Sequence, residues 1–146
     1  MKIKTLATIL LALVVQSGYA ASQQEINKEN AIAFCEALMN KKDFAVARQY
    51  IGDHYIQHDP KVGDDVEGLR RALDFIRLVY PKLHIDIKRV VAEGDYVFLH
   101  IHSIPTPNSS GDAVVDIFRF DKGKIVEHWD AIQSVPWISM NNNGMF

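Results

Sequence analysis

The chain contains a single cysteine, Cys35, so no disulfide can form within it and no cysteine-rich zinc site can be assembled. There is no run of basic residues, and the formal net charge is −2, so the electrostatic footprint of a nucleic-acid-binding surface is missing. Repeats and low-complexity tracts are absent, which excludes collagen-like and disordered architectures. Beyond the first twenty residues no long hydrophobic run occurs, which excludes a multi-span membrane protein. What is present, 146 residues of which 48% are hydrophobic and 23% charged, suits one domain with one core and is too little for two. A compact domain that binds or transforms something small remains.

The first twenty residues stand apart. Lys2 and Lys4 precede an apolar run from Leu6 to Val15 broken only by Thr8, and Gly18-Tyr19-Ala20 offers small residues where a signal peptidase inspects the chain. Residues 1–20 therefore read as a cleaved secretory signal, with residues 21–146 as the exported domain, periplasmic or secreted, holding no stable membrane anchor after cleavage. The alternative is a retained N-terminal anchor, against which the shortness of the run argues. No cysteine follows the segment to carry a lipid. An exported protein meets oxidising conditions, yet Cys35 has no partner; within Ala31-Ile32-Ala33-Phe34-Cys35 it reads as a small buried apolar side chain.

Helical periodicity comes first in the domain. Ala31, Phe34, Cys35 and Leu38 recur at i, i+3, i+4, i+7, which predicts a helix from about Gln24 to Asn40. Asp43 is placed to cap a short second helix carrying Phe44, Ala47 and Ile51, ended by Gly52. After a polar loop, Leu69, Ala72, Leu73, Ile76 and Tyr80 mark a third, stopped by Pro81. The period then changes to two. Leu83, Ile85 and Ile87 alternate with polar residues, and further strands are expected over Tyr96–Ile104, Ala113–Phe120 and Lys124–Gln133. Turns fall at Glu93-Gly94-Asp95 and Asp121-Lys122-Gly123, a loop at Pro105–Gly111, and a frayed tail at Asn141–Gly144. Helices first and strands after indicate α+β, with the helices on one face of a twisted antiparallel sheet that can curl and leave a pocket.

Strand parity sorts the polar residues. Tyr96, Phe98, His100, His102 and Ile104 share one face; so do Val114, Asp116, Phe118 and Phe120, and Val126, His128, Asp130 and Ile132. Each set mixes apolar side chains with one or two ionisable ones, as a ligand pocket does. Asp116 stands among Val114, Val115, Ile117 and Phe118; loss of hydration there raises a carboxyl pKa and suits a group that accepts and returns a proton. The competing reading is a salt bridge to Arg119 or a solvated strand residue. His100 and His102 fall on one side of their strand about 7 Å apart, able to polarise a carbonyl or to sit as satisfied core residues. His-x-His also occurs in the metal sites of cupins, but no Glu follows at cupin spacing, so metal-assisted hydrolysis through His100 and His102 is the lesser alternative and no metal is assigned. His54, Tyr55, His58 and Asp59 fall in the loop after the second helix, either as surface polarity or at a pocket mouth. Trp129 has the opposite parity to His128 and Asp130 and reads as structural packing, and Asn108-Ser109-Ser110 matches the glycosylation pattern weakly.

Two segments carry a resemblance. Tyr55-Ile56-Gln57-His58-Asp59-Pro60 is similar to the Tyr-x-x-His-Asn-Pro signature of SnoaL-like proteins, in the nuclear-transport-factor-2-like superfamily, and the stretch from Asp116 through Gly123 to Asp130 resembles that family's closing hairpin. Asp59 replaces the family's frequent Asn, and Asp64-Asp65 its common Asp-Gly. The resemblance implies a cone-shaped α+β barrel of the SnoaL-like and cystatin-like kind with a deep apolar cavity, dimeric through the outer face of its sheet. Family members include polyketide cyclases, which close a ring by intramolecular aldol condensation without a cofactor. The superfamily includes isomerases, epoxide hydrolases, dehydratases and members without catalysis, so the fold alone does not choose a reaction. In the cyclases an Asp on the penultimate strand is the general acid/base, with a His on the strand before it; Asp116 matches the first position, and His102 or His100 the second. The expectation is an exported, cofactor-free enzyme acting on an apolar carbonyl compound as a cyclase, isomerase or lyase. Asp116, His102 and His100 would be catalytic, and Tyr55, His58, Asp59, Phe98, Phe118, His128 and Asp130 would line the substrate site. The alternative is a non-catalytic small-molecule-binding module.

Overall fold

Ser22 opens the first helix by accepting a hydrogen bond from the Glu25 N–H, and the helix follows as the apolar spacing predicts. In this computed structural model the described residues run from Ala21 to Phe146; the signal expected over residues 1–20 lies outside them. Helix α1 spans Gln23–Cys35 and continues as a π-helical turn, Glu36–Asn40. Its stripe of Ala31, Phe34, Cys35 and Leu38 is buried against the sheet. Asn40 ends the segment by bonding both backbone groups of Ile85, donating to its carbonyl at 3.1 Å and accepting from its N–H at 2.7 Å. Asp43 caps α2, Phe44–Ala47, through the Val46 N–H at 3.1 Å. Helix α3, Asp65–Val79, buries Leu69 and Leu73 and ends just before Pro81. Among the described residues no helix is long and apolar enough to cross a membrane.

Five strands follow in space the order β1-β5-β4-β3-β2. They are β1 (Ile51–Gln57), β2 (His84–Glu93), β3 (Tyr96–Ile104), β4 (Asp112–Asp121) and β5 (Lys124–Ser134). β2 through β5 form the expected antiparallel meander, and β1 adds to its edge in parallel with β5. The sheet is thus mixed and curved, with five strands rather than four. β1 corrects the expectation that Gly52 ends a helix and that His54–Pro60 is loop. Only Ile51 and Tyr55 are buried in it, so it lacks the alternation by which a strand is recognised in sequence.

The β4–β5 connection is a two-residue turn, Lys122-Gly123, with φ of 50° and 76°; two successive positive values match the right-handed strand twist, and glycine adopts them without penalty. The Gly123 carbonyl accepts from Asn30 Nδ2 at 3.0 Å, tying the hairpin to α1. Farther along, Arg119 pairs with Glu127 but Phe120 with Ile125, so Val126 is an extra residue bulged out of β5. The core lies between the concave face of the sheet and the helices, where Phe34 meets Phe118 edge-to-face with ring centres 5.5 Å apart. The tail, expected to fray, returns across the convex face and lays the Phe146 ring 4.2 Å from that of His102 and 5.5 Å from that of His100.

Candidate functional site

The concave face encloses a cavity of about 270 Å³. Its walls are apolar over most of their extent: Phe34 and Cys35 from α1, Leu38 from the π-helical turn, Leu69, Leu73 and Ile76 from α3, and Ile85, Ile101 and Val114 from the sheet. Polar groups gather on one side, where β4 contributes Asp116, β5 His128 and Asp130, and β1 Tyr55 and Gln57, with Asp59 just beyond.

His128 Nε2 lies 3.4 Å from Asp116 Oδ1, and the two side chains are only 14% and 17% exposed. The imidazole is held on three sides: its face stacks on Phe118 with centroids 5.0 Å apart, and its Nδ1 lies 2.8 Å from Gln57 Oε1. Gln57 in turn donates from Nε2 to the Tyr55 hydroxyl oxygen at 3.0 Å, and its Oε1 also accepts from the Asp59 N–H at 2.9 Å. Tyr55, Gln57, His128 and Asp116 therefore form one hydrogen-bonded chain across β1, β5 and β4. Burial, reinforced by the Asp116 charge, raises the Tyr55 phenol well above its ordinary pKa and keeps its O–H intact. Burial also raises the Cys35 thiol, which is consistent with an inert, space-filling side chain. Asp130 is raised as well, first by burial and then by the neighbouring Asp59 carboxylate.

Of the residues singled out in the sequence, Tyr55, Asp59, Asp116, Phe118, His128 and Asp130 line this cavity. Four do not. His100, His102 and Phe98 point to the convex side, because Leu99 is the cross-strand partner of Asp116 and opposed residues share a face; the inward set of β3 is Val97, Leu99, Ile101 and Ser103. His100 Nδ1 meets Arg89 at 2.9 Å, and His102 Nε2 meets the Ser110 carbonyl at 2.9 Å. Neither imidazole reaches Asp116 or a substrate in the cavity. His58 is also outside, stacked on Trp129 at 4.6 Å and bonded to Glu127 at 2.8 Å. Burial would raise Glu127, but hydrogen bonds from His58 and Arg119 outweigh it and hold the carboxyl low. Val126 likewise leaves the inward set, its place near the turn taken by fully buried Ile125. Among the described residues no group of three or more His, Cys, Asp or Glu converges as a metal site would require.

Gln57 is the residue that sequence reasoning passed over. Its signal was its spacing from Tyr55: two residues apart on a strand, they share a face. That signal is visible only once β1 is recognised as a strand.

A family model described as a SnoaL-like domain matches residues 31–128, more than half of the chain. The chain belongs to the SnoaL-like family. Its architecture is that of the nuclear-transport-factor-2-like superfamily, and solved structures share it. AclR from Streptomyces galilaeus, a candidate hydroxylase, superposes with a TM-score of 0.65 at 21% identity, over 76% of this chain and 81% of that one. A candidate polyketide cyclase from Bacillus cereus gives 0.65 at 22% identity, over 73% and 74% of the two chains. A cystatin-fold protein from Novosphingobium aromaticivorans gives 0.63 at 24% identity, over 72% and 97%. No curated protein matches the sequence. At these identities the likeness establishes the fold, and a SnoaL-like cavity of this kind suits a small-molecule enzyme or binder.

Proposed function

We propose that this SnoaL-like domain is an exported enzyme that performs general acid/base chemistry on an apolar carbonyl compound without a cofactor, in the manner of a cyclase, isomerase or lyase. The observation that supports it is the Asp116–His128 pair, 3.4 Å apart on the wall of an otherwise apolar cavity. Asp116 removes a proton beside the substrate carbonyl and later returns it. Tyr55, rather than His100 or His102, polarises the substrate carbonyl: its oxygen already accepts from Gln57, which leaves its own O–H to donate to a ligand oxygen. Asp59 and Asp130 stand at the same wall to orient the substrate. The volume, about 270 Å³, lies near the lower end of ligand pockets, about 300–1,000 Å³, and suits a compact one- or two-ring molecule.

Export to the periplasm or beyond, with no membrane anchor kept, follows in this reading from the leader at residues 1–20, and the active form is a homodimer joined through the convex sheet face. Val91, Val115, Ile56 and Tyr96 are exposed there, apolar side chains that a second copy would cover. A second reading, a carrier that holds its ligand unchanged, draws on the apolar extent of the walls. Native mass spectrometry of the purified protein, followed by incubation of the retained compound or its carbonyl analogues, separates the two. A ligand converted by wild type supports the enzyme; a ligand bound and released unaltered supports the carrier.

A further inference from the structure

We propose that Gln57 is a positioning residue that fixes the His128 ring as its Nδ1–H tautomer and thereby turns the Nε2 lone pair toward Asp116. This deepens the catalytic reading above and rests on it only for its purpose, not for its geometry.

The argument starts from a group that cannot reverse its role. The backbone N–H of Asp59 can only donate, and it lies 2.9 Å from Gln57 Oε1, so that atom is the amide oxygen and not the nitrogen. The opposite end of the amide is then the NH₂, and it donates to the Tyr55 oxygen. An amide oxygen cannot donate, so His128 Nδ1, 2.8 Å from it, must carry the hydrogen. In the neutral ring the other nitrogen, Nε2, is therefore a bare lone pair, and the atom it faces is Asp116 Oδ1.

A lone pair and an ionised carboxylate repel at that distance. One proton between them removes the repulsion, either as imidazolium with carboxylate or as neutral imidazole with carboxylic acid. The separation of 3.4 Å is long for a charge-assisted hydrogen bond. The other titratable groups around the pair are Asp130 on β5, Tyr55 on β1, Cys35 on α1, and Asp59 and Lys61 after β1; the cavity-facing residues of α3, β2 and β3 add none. Without Gln57 the ring is free to place its hydrogen on Nε2, where it donates to Asp116.

The test is two-bond ¹H–¹⁵N correlation spectroscopy of the imidazoles in substrate-free protein, titrated through the neutral range. Wild type should show His128 as Nδ1–H once the ring is neutral. Gln57→Glu, which keeps an acceptor oxygen, should retain that pattern, and Gln57→Leu should lose it in favour of Nε2–H. An Nε2–H ring in wild type, or an Nδ1–H ring that survives in Gln57→Leu, overturns the proposal; the wild-type spectrum decides even if the leucine variant fails to fold. Because no substrate is involved, failure here leaves the catalytic reading standing, and loss of that reading through an inert Asp116 leaves the tautomer standing.

Discussion

Asp116 of β4 and Asp130 of β5 stand directly opposite each other in the ladder, and both face the cavity. Like charges so placed oppose each other, and of the two only Asp116 lies within hydrogen-bonding reach of His128. Burial and the Asp59 carboxylate raise Asp130, with a smaller contribution from Asp116. The folded protein thus holds the Asp130 proton more tightly than the unfolded chain does. Stability falls as pH rises from the unfolded carboxyl value, ~3.9, through the higher folded one, and the loss is complete above it. Asp130→Asn should therefore raise Tm at pH 7, with the gain vanishing below pH ~3.9. Thermal melts across that range check it, and an unchanged Tm at neutral pH would show that the carboxylate carries no penalty.

Asp116→Asn keeps the size of the side chain and removes its basicity. On a substrate that wild type converts, turnover should fall ~10²–10⁴-fold, the contribution typical of a positioned acid/base group. Ligand affinity, measured by calorimetry, should change far less. Full activity in this variant would remove Asp116 from the chemistry.

Leu73 is 1% exposed and lies in the cavity wall. Leu73→Ala should destabilise the fold by ~2–5 kcal/mol in denaturant titration. It should also admit bulkier ligands, because the deleted methyl groups border the hollow.

Val115, 39% exposed, sits mid-sheet on the convex face. If that face joins two copies, Val115→Glu should leave a monomer at concentrations where wild type sediments as a dimer. A monomeric wild type at those concentrations would remove the dimer from the functional reading.

The residue pattern carried much of this fold and part of its site. Helices α1 and α3 were readable because apolar stripes recur at helical spacing over Ala31–Leu38 and Leu69–Tyr80. β4 and the outer half of β5 were read with the right faces because acids and an imidazole interrupt otherwise apolar strands. β3 turns the face opposite to the expected one toward the cavity. Parity within a strand fixes which residues go together, but not which group faces its neighbour's acids; that is decided by cross-strand register. The loop Pro105–Gly111 sets the register between β3 and β4, and its length names no single pairing. The aliphatic set Val97, Leu99 and Ile101 was the deeper one, while the more eye-catching histidines lay on the convex side. β1 was hidden by Gly52, Asp53 and His54, which a parallel edge strand tolerates, and Gln57 was hidden with it.

The bulge at Val126 shifts the phase of β5 relative to β4. Ile125 and His128 both point inward though three positions separate them, a spacing an unbroken strand forbids. Squeezing one residue out of the ladder lets the hairpin bury an aliphatic side chain beside its turn and then change phase before it offers imidazole and acid to the interior. Had the ladder run regularly from the Lys122-Gly123 turn, Trp129 would face Asp116, and an indole would fill the space now open to a guest.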